Sequence, residues 1–307
     1  MILVTGAAGY IGSCFLSKWR TALGIDSFIK SGKARDRIVV MDINDTANVT
    51  AFMKEHKITK VVNLAAVVGD PACIKYPKQA VASNLEGVKS LLKACADAGT
   101  VKKFVQASTC SVYGFNVNGD LTEESPLNPL SLYAELKIKA ENAIRESGMP
   151  HAILRFSTAF GWSQSPRFDL TVNEFTREAV MGREIEVYRK DDWRPYAHIS
   201  DLAGACYMAT KMAGFAGTFN VGWARNNHTK QMIIDTISKY VPVPVKYVET
   251  PGADARNYKV NFDKLAGVMA NPVFRTIDDG IIEIIKHLRK GEIDADDPAY
   301  RADHINS

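Results

Sequence analysis

The chain has 307 residues, 46% of them hydrophobic and 23% charged, with 38 basic against 34 acidic side chains and a net charge of +4. That make-up belongs to a folded globular protein and excludes a disordered tail or a fibrous repeat. The charge is too small and too dispersed to suggest nucleic-acid binding, and no apolar run nears the ~18 residues that cross a bilayer. Five cysteines stand apart with no CxxC pair, so neither a zinc site nor a disulfide framework is expected. Ile2-Leu3-Val4 follows Met1 with no basic or apolar leader, so the expected location is a reducing cytoplasm.

In chain order, β-branched runs alternate with helical spacing. Met1–Val4 reads as a strand, Ile11–Leu23 as a helix, Arg37–Met41 as a strand and Val49–His56 as a helix. Lys60–Leu64, Lys103–Ala107 and Ala152–Phe156 are further strands, with helices over Ser83–Ala98 and Leu132–Ser147 between them. Apolar strands alternating with helices predict an α/β fold, a doubly wound parallel sheet covered on both faces. The second half is less regular. Pro242, Pro244 and Pro251 suggest an extended segment, and the acidic stretch 291–307 is expected to be poorly ordered.

The first strand runs into Thr5-Gly6-Ala7-Ala8-Gly9-Tyr10-Ile11-Gly12, a G-x-x-G-x-x-G turn that opens a helix. Glycines there permit a tight turn and close approach of a pyrophosphate, which the helix amides then hold. The ribose-binding acid of an NAD site is less plain. Asp42 follows a clear strand but comes late, and Asp26 lies in a weaker one. Lys30, Lys33, Arg35 and Arg37 would suit the extra phosphate of NADP, so the sequence leaves NAD and NADP both open.

Tyr133-Ala134-Glu135-Leu136-Lys137 places a phenol and an ammonium on one helix face, which favours a phenolate base. The spacing alone carries little, because Tyr207 and Lys211 repeat it. Only the first pair follows a strand ending in hydroxyls, Ser108-Thr109-Cys110-Ser111, at the edge where parallel sheets bind ligands. Tyr207 and Lys211 therefore read as ordinary helix residues.

These motifs, with Asp42-Ile43, Asn63–Ala66 (NLAA), Asn84–Gly87 (NLEG), Ser108–Gly114 (STCSVYG), Leu154–Phe156 (LRF), Arg194–Leu202 and Phe219–Gly222 (FNVG), stand in a familiar order. The chain resembles the extended short-chain dehydrogenases/reductases of the NAD-dependent epimerase/dehydratase family. The resemblance implies a Rossmann-type domain over residues 1–160 that also receives about 196–222. A substrate-binding domain would come from 161–195 and 223–307. It implies Thr109, Tyr133 and Lys137 as catalytic residues. Gly6, Gly9, Tyr10, Ile11, Gly12, Asp42, Ile43, Leu64, Ala65, Ala66, Asn84 and Phe156 would line the cofactor with Tyr133 and Lys137, and Ser157 would lie near the nicotinamide end.

Substrate contacts are expected from Asp70, Cys110, Ser111, Asn173, Arg194 and Arg256. Arg194 matches the family arginine that grips a nucleotide diphosphate, and Tyr258 lies with Arg256 in a late segment that can close over the nucleotide. Trp162, Ser163, Arg167 and Asp169 form a polar loop placed to meet the sugar. His198 is expected to be a structural hydrogen-bonding residue, and Cys110 a small buried one unless its thiol is tuned. Without a carboxylate pair after Thr109, a sugar 4,6-dehydratase is disfavoured. The expected activity is NAD(P)-dependent epimerisation of a nucleotide sugar, by hydride transfer at a sugar carbon such as C4. The alternatives are an NADPH-dependent 4-keto-sugar reductase and a non-catalytic dinucleotide-binding regulator. Helices 83–98 and 132–147 resemble the bundle of family homodimers, with Leu85, Val88, Leu91, Leu92 and Cys95 on a face that could serve a dimer or the core.

Overall fold

Seven short segments pair side by side in one sheet: β1 (Ile2–Thr5), β2 (Ala22–Asp26), β3 (Ile38–Val40), β4 (Lys60–Asn63), β5 (Lys103–Thr109), β6 (His151–Phe156) and β7 (Gly217–Val221). The computed structural model describes residues 1–27, 37–115, 119–249, 256–269, 272 and 274–303. The strand order is β7-β6-β5-β4-β1-β2-β3, and every pairing is parallel. The chain winds outward from β1 to β3, then returns to β4 and winds the other way. That reversal opens a crevice between the carboxyl ends of β1 and β4.

Successive β1 side chains face opposite cores. Ile2 and Val4 join α1 (Tyr10–Lys18) and α5 (Ile199–Lys211), whereas Leu3 joins α2 (Thr46–Glu55), α3 (Gly87–Ala98) and α4 (Leu132–Glu146). This is the doubly wound sheet expected. A second lobe has its own core, in which Phe160, Val172, Phe175, Tyr196, Ile233 and Ile281 pack together. Among the described residues, no helix is long and apolar enough to cross a membrane, and no His/Cys/Asp/Glu group could hold a metal ion. The five cysteines are free and buried.

Three differences from the sequence expectation matter. The helix expected to reach Leu23 stops at Lys18, and Ala22–Asp26 becomes β2. Trp19 and Ala22 continue the apolar helix spacing, which hid the break. Arg37 fixes it, donating to the carbonyls of Leu16, Trp19 and Ala22 at 2.6–3.2 Å. Arg37 is thus engaged at the end of α1 and does not read a phosphate. Lys30, Lys33 and Arg35 lie outside the described residues.

The apolar face of α3 is spent within the chain. Val88, Leu91, Leu92 and Cys95 sit in the sheet core, and Leu85 packs beside Tyr133. The outer side of α3 carries the ion pairs Lys89–Glu86 and Lys93–Asp97 instead of a dimer stripe. The last described segment is also ordered against the protein. Phe168 N donates to Tyr300 O at 2.9 Å, and Ala302 packs on the cluster holding Tyr133.

Candidate active site

The glycine turn closes against the loop after β4. Gly6 has φ of +63°, and a side chain there would meet Ala65 N at 2.7 Å; one at Gly12 would meet Gly6 O at 2.2 Å. Both positions therefore admit only glycine if the turn, α1 and the Leu64–Ala65 backbone are to touch. Ala65 N donates to Thr5 Oγ1, so the carboxyl ends of β1 and β4 are joined at the crevice. Asp26 ends β2 beside this turn, and its carboxylate accepts the Ala8 amide at 2.9 Å. It stands where a ribose-binding acid is needed, only 14 residues after Gly12 and not the usual ~20. The short spacing, together with the concealed strand, kept it from being chosen outright. Asp42 lies exposed beyond β3, accepting from the Asn44 backbone and side chain, while Ile43 is buried against Gly87.

Helix α4 carries Tyr133 and Lys137 to the carboxyl end of β5, the strand that ends in Thr109. The strand runs two residues past its expected end and delivers Thr109 itself, next to Phe156 on β6. Thr109 Oγ1 accepts the Ser111 amide at 3.1 Å, which fixes the oxygen and leaves its hydrogen to donate. Ser131 caps α4 through the Ala134 amide, and the helix carries buried Tyr133 and Lys137 on one side. Lys137 Nζ donates to Ala107 O at 3.0 Å and lies 5.7 Å from the Tyr133 ring centre. The Tyr133 hydroxyl makes no hydrogen bond among the described residues. Burial pushes its pKa up, against smaller opposing pulls from Arg167 and Arg256. The phenol is thus raised, where the pairing with Lys137 led the sequence to suggest a lowering. The second Y-x-x-x-K pair serves packing, as expected: Tyr207 stacks on Trp19 with ring centres 4.5 Å apart.

One buried network ties these elements together. Glu141, one turn beyond Lys137, accepts Ser108 Oγ at 2.6 Å and is gripped by Arg155 at 3.1 and 2.8 Å. Arg155 also donates to Tyr113 and to the Glu123 backbone. Sequence reading missed Glu141. Its only signal was a carboxylate at i+4 from a lysine already assigned to the site.

The residues expected at the substrate divide into two groups. Arg256 bonds Ser111 Oγ at 3.0 Å and pairs with Asp70 at 3.1 Å, and Arg194 lies over the Tyr258 ring. Tyr258 also bonds with Ser111 and lies near both arginines, so these four, expected from separate stretches, are brought together around it. Cys110 and Asn173 do not join them. Cys110 is 1% exposed, donates to Arg155 O, and burial pushes its thiol up, so it sits in the core as a small buried residue. Asn173 is engaged with Gly161 N, Tyr10 Oη and Arg167 O at 2.8–3.0 Å, which orders the loop after Phe160. Tyr10 likewise donates to Gly161 O. Asn84 clamps both backbone groups of Val67 at 2.8 Å from inside a π-helical turn, Ala82–Glu86, so its side chain is spent on shaping the loop that follows β4. His198 is structural, bonded to Glu283 at 2.9 Å and to the Ser200 amide. The Arg167–Asp169 pair, at 3.0 and 2.6 Å, is tied to the C-terminal segment through Ala302 N.

Burial pushes Lys137 down to about 8, partly offset by Cys73 and Glu141. A rate that needs the ammonium should fall as pH rises through that value. The kcat/KM profile of the free enzyme is expected to show an alkaline limb near pH 8. Lys137→Arg, which cannot deprotonate in this range, should lose the limb whatever its absolute rate. An unchanged limb in that variant would assign it to another group.

Residues 2–222 match the sequence profile of the NAD dependent epimerase/dehydratase family. The UDP-glucuronate 4-epimerase 6 of Arabidopsis thaliana is 30% identical over 276 residues, covering 80% of this chain and 58% of that protein. The UDP-glucose 4-epimerase of Lactobacillus helveticus is 27% identical and is covered over 94% of its length by 91% of this chain. Among solved structures, the UDP-glucose 4-epimerase of Thermus thermophilus, in complex with NAD, superposes with a TM-score of 0.80 at 25% identity, covering 95% of this chain and 99% of that one. A profile match across 221 consecutive positions, on a chain that folds as the doubly wound sheet and gathers Thr109, Tyr133 and Lys137 at its crevice, makes this chain a member of the NAD-dependent epimerase/dehydratase family, within the extended short-chain dehydrogenases/reductases.

Proposed function

We propose that the protein is an NAD-dependent nucleotide-sugar 4-epimerase acting on a UDP-hexose. The observation that carries this reading is that α4 brings Tyr133 and Lys137 to the carboxyl end of β5, the strand that ends in Thr109, in the same sheet whose first strand opens on the glycine turn. The residues fit NAD. Gly6 and Gly12 let the turn close on the backbone of Ala65 and Ala7, which brings the α1 N-terminus to the crevice where a pyrophosphate would sit, and Asp26 carries a carboxylate at the end of β2. An acid at that position would repel a 2′-phosphate, and Arg37 is occupied elsewhere. Both facts weigh against the NADPH-dependent reductase. The relatives named above act on UDP-glucose or UDP-glucuronate, and the base and the sugar belong to the proposal.

When bound, NAD supplies a hydride acceptor and a positive nicotinamide ring. The protein does the rest. Tyr133, as phenolate, removes the proton of the sugar C4 hydroxyl and later returns it. Thr109 donates a hydrogen bond to the reacting oxygen as charge develops there. Lys137, fixed by Ala107 O, holds its ammonium beneath the phenol and toward the cofactor ribose. Arg194 and Arg256 would hold the diphosphate and nucleotide, and Ser111 and Asp70 the sugar. The buried positions of Tyr133 and Lys137 exclude water from the transferred proton. Retention of all three catalytic groups argues against a non-catalytic regulator. The proposal extends to a cytoplasmic location and, from the resemblance, to a homodimer. Light scattering tests the homodimer: a mass of two chains is expected, and a monomer would overturn it.

The first test is chemical. The purified protein is denatured and any released dinucleotide identified by mass and absorbance. Retained NAD is expected, because a redox-neutral enzyme regenerates it within each cycle. An empty site that titrates preferentially with NADPH would replace this reading with the reductase.

A further inference from the structure

Asp70 opens the short helix Asp70–Lys75 in the loop that follows β4. Its two carboxylate oxygens differ. Oδ2 pairs with Arg256 at 3.1 Å, and Arg256 is steadied in turn by Ser111 Oγ at 3.0 Å. Oδ1 is buried and accepts no hydrogen bond among the described residues. A desolvated carboxylate oxygen without a donor is costly, and native proteins retain such an atom where a ligand completes it. The place is the reacting end of the cleft. Ala72 and Cys73 of the same helix pack in one cluster with Tyr133, and the Asp70 charge acts on the Tyr133 phenol.

From this arrangement we propose that Asp70 is a specificity residue, its open oxygen accepting a hydrogen bond from one hydroxyl of the hexose while Arg256 holds it in place. The inference rests on the UDP-hexose reading above. It also fixes the polarity of that contact: the sugar must offer an O–H or N–H there, and a carboxylate at the same position is excluded by like charge. Arg256 thus acts across the cleft, since it comes from the late segment and Asp70 from the sheet side.

The test is a cycle of enzyme and substrate deletions. Kd and kcat/KM are measured for UDP-glucose and its 2-, 3- and 6-deoxy analogues, with wild type, Asp70→Asn and Arg256→Gln. One deoxy analogue should lose about 10- to 100-fold in wild type, the worth of a hydrogen bond to a charged group. The same analogue should lose less than about threefold in Asp70→Asn. Arg256→Gln should fall between, since it leaves Asp70 charged but unheld. If every deoxy analogue loses equally in wild type and Asp70→Asn, the inference is overturned while the epimerase reading stands. If wild type neither binds nor turns over any UDP-hexose, both readings fall. Circular dichroism of Asp70→Asn, an isosteric change at a partly exposed side chain, checks that the comparison is made on folded protein.

Discussion

Tyr133→Phe should lower kcat by about three orders of magnitude, within the range for loss of a positioned acid–base group. It should leave dinucleotide retention intact. Stability is expected to move the other way or not at all. The Tyr133 side chain is buried, but its hydroxyl makes no hydrogen bond among the described residues, so the change removes no internal bond. An epimerase assay and a thermal melt on the same preparation check both halves. Activity within tenfold of wild type would move the base to another residue. A large fall in melting temperature would mean that the ring is held by its oxygen.

The second large effect is on folding. Glu141→Ala should destabilise the protein by about 3–5 kcal/mol, because it strands the buried Arg155 guanidinium. Replacing both partners, as in Glu141→Leu with Arg155→Met, should recover most of that loss. Urea unfolding midpoints of the three variants read this directly, and a loss under about 1 kcal/mol for the single change would refute it. Burial alone would raise Glu141, but bonds from Arg155, Ser108 and Arg145 hold its pKa below the ordinary value. The stabilisation is therefore present at neutral pH and lost as pH falls through that lowered value. Because the pair joins α4 to β5 and β6, the double variant also tests whether packing alone keeps Thr109 and Tyr133 in reach.

The site was legible where local chemistry and sheet topology agreed. Gly6–Gly12, Thr109 and the Tyr133–Lys137 pair each follow a strand and face the crevice, so motif and placement pointed the same way. Asp70, Ser111, Arg194 and Arg256 came from unrelated stretches, and the fold assembled them. What the sequence concealed was tertiary. β2 was hidden because Trp19 and Ala22 prolong the α1 spacing, and the break comes from Arg37, a residue 18 positions beyond Trp19. Cys110 and Asn173 were expected at the substrate, but both side chains turn inward to partners within the protein, which spacing cannot show. Glu141 shares a face with Lys137, but its worth depends on an arginine from another strand. The acidic end looked unable to order itself, yet backbone bonds from Tyr300 and Ala302 hold it to the 162–170 loop.

The π-helical turn at Ala82–Glu86 has a consequence for how this site could change. Such a turn is an α-helix carrying one surplus residue. Deleting that residue would return the segment to α-helix and leave its flanks in phase. Asn84 sits inside the widened turn and would lose the place from which it clamps Val67, so the loop bearing Asp70 would lose its shape. The loop is thereby set by a winding defect: a single-codon deletion in this turn would reset it without touching any of the residues expected at the substrate.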